Sequence, residues 1–336
     1  MKKLTDKEYQ IKALLADILN NKVPEGQLKS TIQKIYQSIE IGGSLGDDIS
    51  SRASTGLCIT PANAANCIKG YRRTLAYWRA LQLALENYSF EQPITLVYPG
   101  CGPLATLVLP ILFAVYPYKM NITFIDYHQS ALDHLQQQIL ILNNEQIECR
   151  FICADATKWQ PDSGIDILVL ECMLKGLDDE GHVSIVNHFA PFLKPNASLI
   201  PEEIEVKAAW VNMPAESVYC QREYDDDKLP DAEQLKQFRM PICDVFKLDR
   251  NTYQKVNNNQ IPCLDLVWID KPSSTYHFAL TMRLKLLNNT WLEEYADGIT
   301  MPFFPELIQN NDREIVSSLS GYYQLGEKPG FVFNIN

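Results

Sequence analysis

The segment Leu96-Val97-Tyr98-Pro99-Gly100-Cys101-Gly102-Pro103-Leu104-Ala105 decides how the rest of the chain is interpreted. An apolar run enters a turn with two glycines, and we expect an apolar helix to follow. Glycine lets the backbone approach a ligand closely, and the amides at a helix N-terminus attract polar groups. The segment therefore predicts a ligand-binding turn between a strand and a helix, with Tyr98, Gly100, Cys101 and Gly102 as candidate contacts.

Short apolar runs alternate with helical patterns on either side of this turn. The runs that we interpret as strands occupy residues 94–97, 122–125, 150–153, 165–170 and 199–200. Strands that alternate with helices are typical of a parallel sheet covered by helices on both faces. The predicted fold class is therefore α/β, with a Rossmann-like doubly wound sheet.

The two ends of the chain have different patterns. Apolar residues recur at helical spacing through most of residues 1–88, whereas residues after 201 contain β-prone runs at 204–211, 263–269, 276–287 and 331–335. We therefore predict a helical N-terminal region at 1–88, a ligand-binding domain at 89–200 and a β-rich substrate domain at 201–336. A polar, helix-prone insert at 215–241 interrupts the β-rich region.

Charge and cysteine usage restrict the class of protein. The 336 residues carry 30 Lys and Arg against 41 Asp and Glu, a net charge of −11, which disfavours nucleic acid and anionic membranes as partners and suits a cationic one. Nine scattered cysteines without a C-x-x-C pair, and five histidines without ligand spacing, predict reduced thiols and no metal site. No signal peptide or membrane span is visible, so we expect a cytoplasmic protein.

Two acidic residues follow predicted strands, where ligands collect in open α/β sheets. Asp126, next to Tyr127, could accept hydrogen bonds from both hydroxyls of a ribose. Asp155, next to Ala156, could accept from an adenine amino group, and its alternative is an ordinary loop residue. These four residues are candidate cofactor contacts.

The same turn also fits a dinucleotide fingerprint. Gly100-x-Gly102-x-x-Ala105 is followed by Asp126 at about the distance that such sites use for the ribose, so a nicotinamide-dependent oxidoreductase remains an alternative. Pro103 weakens this interpretation because it removes a backbone amide that a phosphate would need.

Four segments, at 67–77, 98–105, 167–173 and 193–201, resemble class I S-adenosylmethionine-dependent methyltransferases in their order and spacing. The order is most similar to the protein arginine methyltransferase branch. The resemblance implies S-adenosylmethionine as cofactor, with Arg73 holding its methionine carboxylate. It also implies that Glu171 and Glu180 are catalytic carboxylates that clamp a substrate guanidinium, with Glu171 reaching the cofactor as well. The insert at 215–241 would then be a dimerisation arm, consistent with a homodimer, and its alternative is a solvated surface excursion.

Each of these roles has a simpler alternative. Arg73 could belong to a solvated basic face with Arg72 and Arg79, and Glu180 could be a charge in the first turn of a helix. Tyr98 stands where the family usually has an acidic residue, and no Thr-His-Trp triplet occurs. We therefore predict a nitrogen acceptor, less readily an oxygen one, in a small molecule, peptide or protein, without specifying arginine.

A second family shares part of the pattern. The glycine turn and Gly176-Leu177-Asp178-Asp179-Glu180 are similar to nicotianamine synthase-like enzymes, which transfer the aminobutyrate arm of the same cofactor. That family does not imply the β-rich region, so it ranks second. A non-catalytic cofactor-binding scaffold is the alternative outside the enzymes.

Overall fold

The computed structural model describes residues 5–39, 50–89, 91–113, 115–142, 144–225, 228–253, 259–263, 266–267, 273–305 and 318–335. The N-terminal part consists of helices α1 (Asp6–Leu19) and α2 (Glu25–Ser38), a hairpin of β1 (Ser51–Ala53) and β2 (Gly56–Cys58), and helices α3 (Pro61–Asn66) and α4 (Tyr71–Leu85). Thr5 and Glu8 form a capping box on α1, and the Thr60 hydroxyl accepts from the Asn63 amide at 3.2 Å. The hairpin departs from the helical pattern that we predict for this region.

Five parallel strands form the central sheet: β3 (Ile94–Pro99), β4 (Met120–Asp126), β5 (Ile147–Cys153), β6 (Ile165–Val169) and β7 (Leu193–Ile200). Their order is β5-β4-β3-β6-β7, and helices α5 (Leu109–Leu112), α6 (Gln129–Leu142) and α7 (His182–Phe189) lie between them in the chain. The doubly wound α/β fold class is confirmed. Because β3 is central, with β4 on one side and β6 on the other, its carboxyl end is the switch point where ligands bind in such sheets.

The helix expected directly after the glycine turn is much reduced. Ala105 has a left-handed backbone with φ 44°, and a 3-10 turn (Thr106–Val108) precedes the four-residue α5. Pro110 lies inside α5, where it can continue a first turn but cannot donate an amide to a longer helix.

The C-terminal part is an antiparallel β structure. It contains β8 (Glu203–Asn212), α8 (Met213–Asp225), α9 (Ala232–Leu235), β9 (Arg239–Asp249), α10 (Arg250–Tyr253), β10 (Gln260–Pro262), β11 (Leu266–Val267), β12 (Tyr276–Leu287), β13 (Thr290–Leu292), β14 (Ser318–Gln324) and β15 (Gly330–Ile335). One sheet has the order β13-β12-β8-β9, and in the other β14 pairs with β10, β11 and β15. Much of the predicted strand at 263–269 lies outside the described residues.

One apolar cluster connects the three parts of the chain. It includes Leu15 and Trp78 from the N-terminal helices, Phe124 and Leu168 from the central sheet, and Phe278 from the β-rich part, all nearly or fully buried. The central sheet therefore packs against both flanking parts. Within the described ranges, no helix is long and apolar enough to cross a membrane.

Candidate functional site

A cavity of about 240 Å³ lies at the carboxyl ends of β3, β4 and β6. Every residue that the sequence analysis assigns to a site lines it: Arg73, Tyr98, Gly100, Cys101, Gly102, Asp126, Tyr127, Asp155, Ala156, Glu171 and Glu180. No sequence pattern indicates the contribution of the β1–β2 hairpin, which adds Thr55, Leu57 and Cys58 to the lining. The structure thus brings the candidate residues together, while their roles stay predictions.

The backbone amides of the glycine turn are already hydrogen-bonded within the protein. Gly100 and Gly102 have φ values of 66° and 61°, and a side chain at Gly100 would place its Cβ 2.3 Å from the Cys172 Sγ. The amides of Gly100 and Cys101 donate to the Ile125 carbonyl at 2.8 and 3.3 Å. The Gly102 amide donates to the Asp126 Oδ2 at 2.9 Å, and Pro103 has no amide. The turn from 100 to 103 therefore offers no amide to a phosphate.

Asp126 ends β4 and holds the turn. Its second carboxylate oxygen, Oδ1, accepts from the His128 amide at 2.9 Å. Each carboxylate oxygen has two acceptor sites, so both can still accept from hydroxyl groups of a ligand. The neighbouring Tyr127 is 40% exposed at the rim.

Asp155 has strong internal partners. It accepts from the Ser54 hydroxyl at 2.5 Å and from the Thr157 amide and hydroxyl at 3.0 and 2.7 Å, capping the 3-10 turn Ala156–Lys158. Burial raises the pKa of this carboxyl, but the hydrogen bonds from Ser54 and Thr157 outweigh it and the net shift is downward. The Asp155 carboxylate thus connects the β1–β2 hairpin to the carboxyl edge of the central sheet.

Arg73 is buried on α4 and 8% exposed. Its Nη1 lies 2.6 Å from the Glu171 Oε2 and 3.7 Å from the Asp297 Oδ1, and its Nη2 donates to the Cys67 carbonyl at 3.1 Å. Burial lowers the pKa of the guanidinium, but attraction to Glu171 and Asp297 raises it overall. The alternative of a solvated basic face is wrong for Arg73.

Glu171 follows β6 and connects the guanidinium to the next loop. Its Oε1 accepts from the Met173 amide at 3.1 Å. Burial raises the pKa of its carboxyl, and the Arg73 charge opposes that rise. Because Arg73 and Glu171 are 98 positions apart, their pairing was not derivable from local sequence patterns.

Glu180 is buried and accepts no hydrogen bond from the residues that the structure describes. Burial, followed by repulsion from Glu171, raises its pKa to about 8. Helix α7 begins only at His182, with Gly181 as its N-cap. The interpretation of Glu180 as a charge in the first turn of that helix is therefore wrong.

The cavity is rich in carboxyl groups. Of the described residues that line it, Asp126, Asp155, Glu171 and Glu180 carry carboxyl groups, and Arg73 carries a guanidinium. A surplus of carboxylates in a partly buried space favours cations over anions. Among residues with described positions, no group of three or more His, Cys, Asp or Glu side chains could hold a metal ion.

No family model and no curated protein matches this sequence. Among solved structures, the chain is similar to the Trypanosoma brucei PRMT1 enzyme-prozyme heterotetrameric complex with AdoHcy, at 13% identity and a TM-score of 0.50, over 80% of this chain and 91% of that one. It is also similar to Arabidopsis thaliana protein arginine methyltransferase 10, at 12% identity and a TM-score of 0.50, over 78% and 94% of the two chains. This likeness shows the fold that the chain shares with these methyltransferases.

Proposed function

We propose that the chain is an S-adenosylmethionine-dependent methyltransferase that acts on a nitrogen nucleophile. The observation that carries the proposal is the convergence of Arg73, Glu171 and Glu180 on the cavity at the glycine turn. A guanidinium can bind the carboxylate of a zwitterionic cofactor, and two carboxyl groups beside it can bind a cationic acceptor in the same cavity. The shared fold supports the same class of enzyme.

The donor set fits this cofactor better than a dinucleotide. A pyrophosphate needs free amides, and the turn at 100–103 has its amides bonded or absent. In contrast, a guanidinium can bind the methionine carboxylate, and a carboxylate can accept hydrogen bonds from the ribose hydroxyls. Arg73 has five N–H donors and spends two of them on Glu171 and Cys67, so donors remain for the carboxylate. Asp126 would accept from the ribose.

A nitrogen acceptor follows from the carboxyl group of Glu180, which lines the same cavity as Glu171. Burial and repulsion from Glu171 raise the pKa of Glu180, and the charge of Arg73 offsets only part of that rise. A cation bound beside it would favour the carboxylate form, so acceptor binding would release a proton from Glu180. An anionic acceptor would gain nothing there.

When bound, S-adenosylmethionine supplies an electrophilic methyl group, and its transfer leaves S-adenosylhomocysteine. Glu171 and Glu180 would orient the acceptor nitrogen toward that methyl, and the hairpin would keep water from the cavity. Positioning of this kind accounts for much of the acceleration in group transfer between two bound molecules.

The test is calorimetric titration of the intact chain with S-adenosylhomocysteine and, separately, with NADH. We expect binding well below millimolar for the first and none for the second. Incubation with S-adenosylmethionine and a panel of amines, guanidines and peptides, followed by mass spectrometry, then reads the product. Methylthioadenosine would indicate aminobutyrate transfer, binding without any product a scaffold, and NADH binding alone an oxidoreductase.

A further inference from the structure

The turn that carries Glu180 has an unusual backbone. Gly176, Leu177 and Asp179 have positive φ values of 68°, 55° and 57°. For leucine this left-handed conformation is unfavourable, and such residues persist only where surrounding contacts hold them. The position of Glu180, the next residue, therefore depends on whatever holds this turn.

Residues from both flanking parts of the chain form hydrogen bonds with the backbone of this turn. The Tyr323 hydroxyl on β14 donates to the Leu177 carbonyl at 2.6 Å. The Asp179 amide donates to the Pro329 carbonyl at 2.8 Å, and the Asp179 carbonyl accepts from the Leu57 amide in the hairpin at 2.7 Å. The turn thus lies between β2 and the segment before β15.

Arg52 joins these three pieces through its side chain. Its Nη1 and Nη2 donate to the two carboxylate oxygens of Asp179 at 2.6 and 2.7 Å, a bidentate pair. The Nη1 also donates to the Glu327 carbonyl at 2.5 Å. The hydrogen bond from Arg52 lowers the pKa of the Asp179 carboxyl, so that carboxyl stays ionised and paired.

The ion pair between Arg52 and Asp179 also affects the balance of charge in the turn. Asp178, Asp179 and Glu180 are consecutive, and Glu180 is already repelled by Glu171 and Asp179. Arg52 neutralises the middle carboxylate of the three. Without it, both the repulsion and the unfavourable backbone would drive the turn away from the cavity.

We propose that Arg52 is a positioning residue whose clamp on Asp179 holds the Glu180 carboxyl inside the cavity beside Glu171. The inference rests on the proposed function in that it takes Glu180 as the carboxyl that receives the acceptor. It extends that function by giving the β1–β2 hairpin control over the position of Glu180.

The test follows the titration of Glu180 in intact protein by NMR with ¹³C-labelled glutamate carboxyls, where loss of a signal in Glu180→Gln assigns it. The wild-type midpoint should lie near pH 8. In Arg52→Ala the direction of the shift is diagnostic. If the turn is released, Glu180 regains solvent and its midpoint falls toward the ordinary glutamate range by at least one pH unit. If the turn stays in place, Asp179 loses its counter-ion and the midpoint rises or is unchanged.

Arg52→Lys should give an intermediate midpoint because one donor can be kept. Arg150→Ala is the matched control, since Arg150 pairs with Asp162 at 2.6 Å on the exposed surface and should leave the Glu180 midpoint unchanged. A rise or no change in Arg52→Ala, or an equal fall in Arg150→Ala, would overturn the proposal. Titration with S-adenosylhomocysteine is read separately, so failure to bind it would reject the methyltransferase function while the NMR result still decides the role of Arg52.

Discussion

Replacement of Arg73 by lysine tests the cofactor site most directly. Arg73→Lys keeps the positive charge beside Glu171 but removes the planar fork that can hold a carboxylate with two parallel hydrogen bonds. The guanidinium already uses one donor for Glu171 and one for Cys67. An ammonium in its place cannot serve both partners and a ligand carboxylate with the same geometry.

The expected loss follows from the number of contacts removed. One charge-assisted hydrogen bond contributes about 1.5–3 kcal/mol, which corresponds to roughly a 10- to 150-fold weaker Kd for S-adenosylhomocysteine. Arg72→Lys is the control on the same helix. Its guanidinium lies 4.8 Å from the Tyr71 ring centroid and is not among the residues that line the cavity, so we expect at most a two-fold change in Kd.

Calorimetry on both variants gives the two dissociation constants, and far-UV circular dichroism with thermal unfolding shows that each variant is folded. Equal small effects of Arg73→Lys and Arg72→Lys in folded protein would refute the assignment of the cofactor carboxylate to Arg73. The result would leave Arg73 as a purely structural partner of Glu171.

Three further predictions follow from the cavity and the surface. Asp126→Ala should weaken S-adenosylhomocysteine binding by about 1.5–3 kcal/mol per charged contact, measured by calorimetry, because it removes the ribose acceptor and frees the Gly102 amide. Glu180→Gln should keep cofactor affinity but abolish the rise in methyl transfer from about pH 7 to 9, since Glu180 with a pKa of about 8 gains the charge that binds a cation as pH rises. Val218→Glu on α8, where Val218 is 74% exposed, should shift a homodimer to monomer in light scattering.

Each of these predictions has a contrary outcome. Unchanged S-adenosylhomocysteine affinity in Asp126→Ala would remove Asp126 from the cofactor site. Full turnover with an unaltered pH profile in Glu180→Gln would refute its role toward the acceptor. A wild-type chain that is monomeric in light scattering would remove the dimerisation arm.

The central sheet was predictable because its inner strands β3 and β6 are mostly apolar runs, as buried parallel strands require. Apart from Arg73 and Glu180, the candidate residues lie at or just after the ends of these strands, so their convergence at one edge was also predictable. The hairpin was not, because three-residue strands such as Ser51–Ala53 carry no periodic signal. The strand β9 was missed for a related reason, since Pro241 and Asp244 interrupt its pattern.

The pairing of charges was beyond the reach of the sequence. Whether Arg73 faces solvent or Glu171 depends on how α4 packs against the sheet, and helical periodicity does not specify that. The same holds for Glu180, whose local pattern suggested a helix start. Its burial results from contacts with the hairpin and with residues near the C-terminus, far away along the chain.

The hairpin also has a consequence for the order in which the protein folds. Its hydrogen bonds to His128, Asp155 and Asp179 span sequence separations of 77, 101 and 127 residues, and Arg52 reaches Glu327 at a separation of 275. Contacts of such range form late because loop closure has to precede them. The residues that line the cavity extend from Ala53 to Ile299, so chains truncated before Ile299 should not form the whole cavity. A ligand that binds this cavity would then stabilise only chains that contain the whole lining.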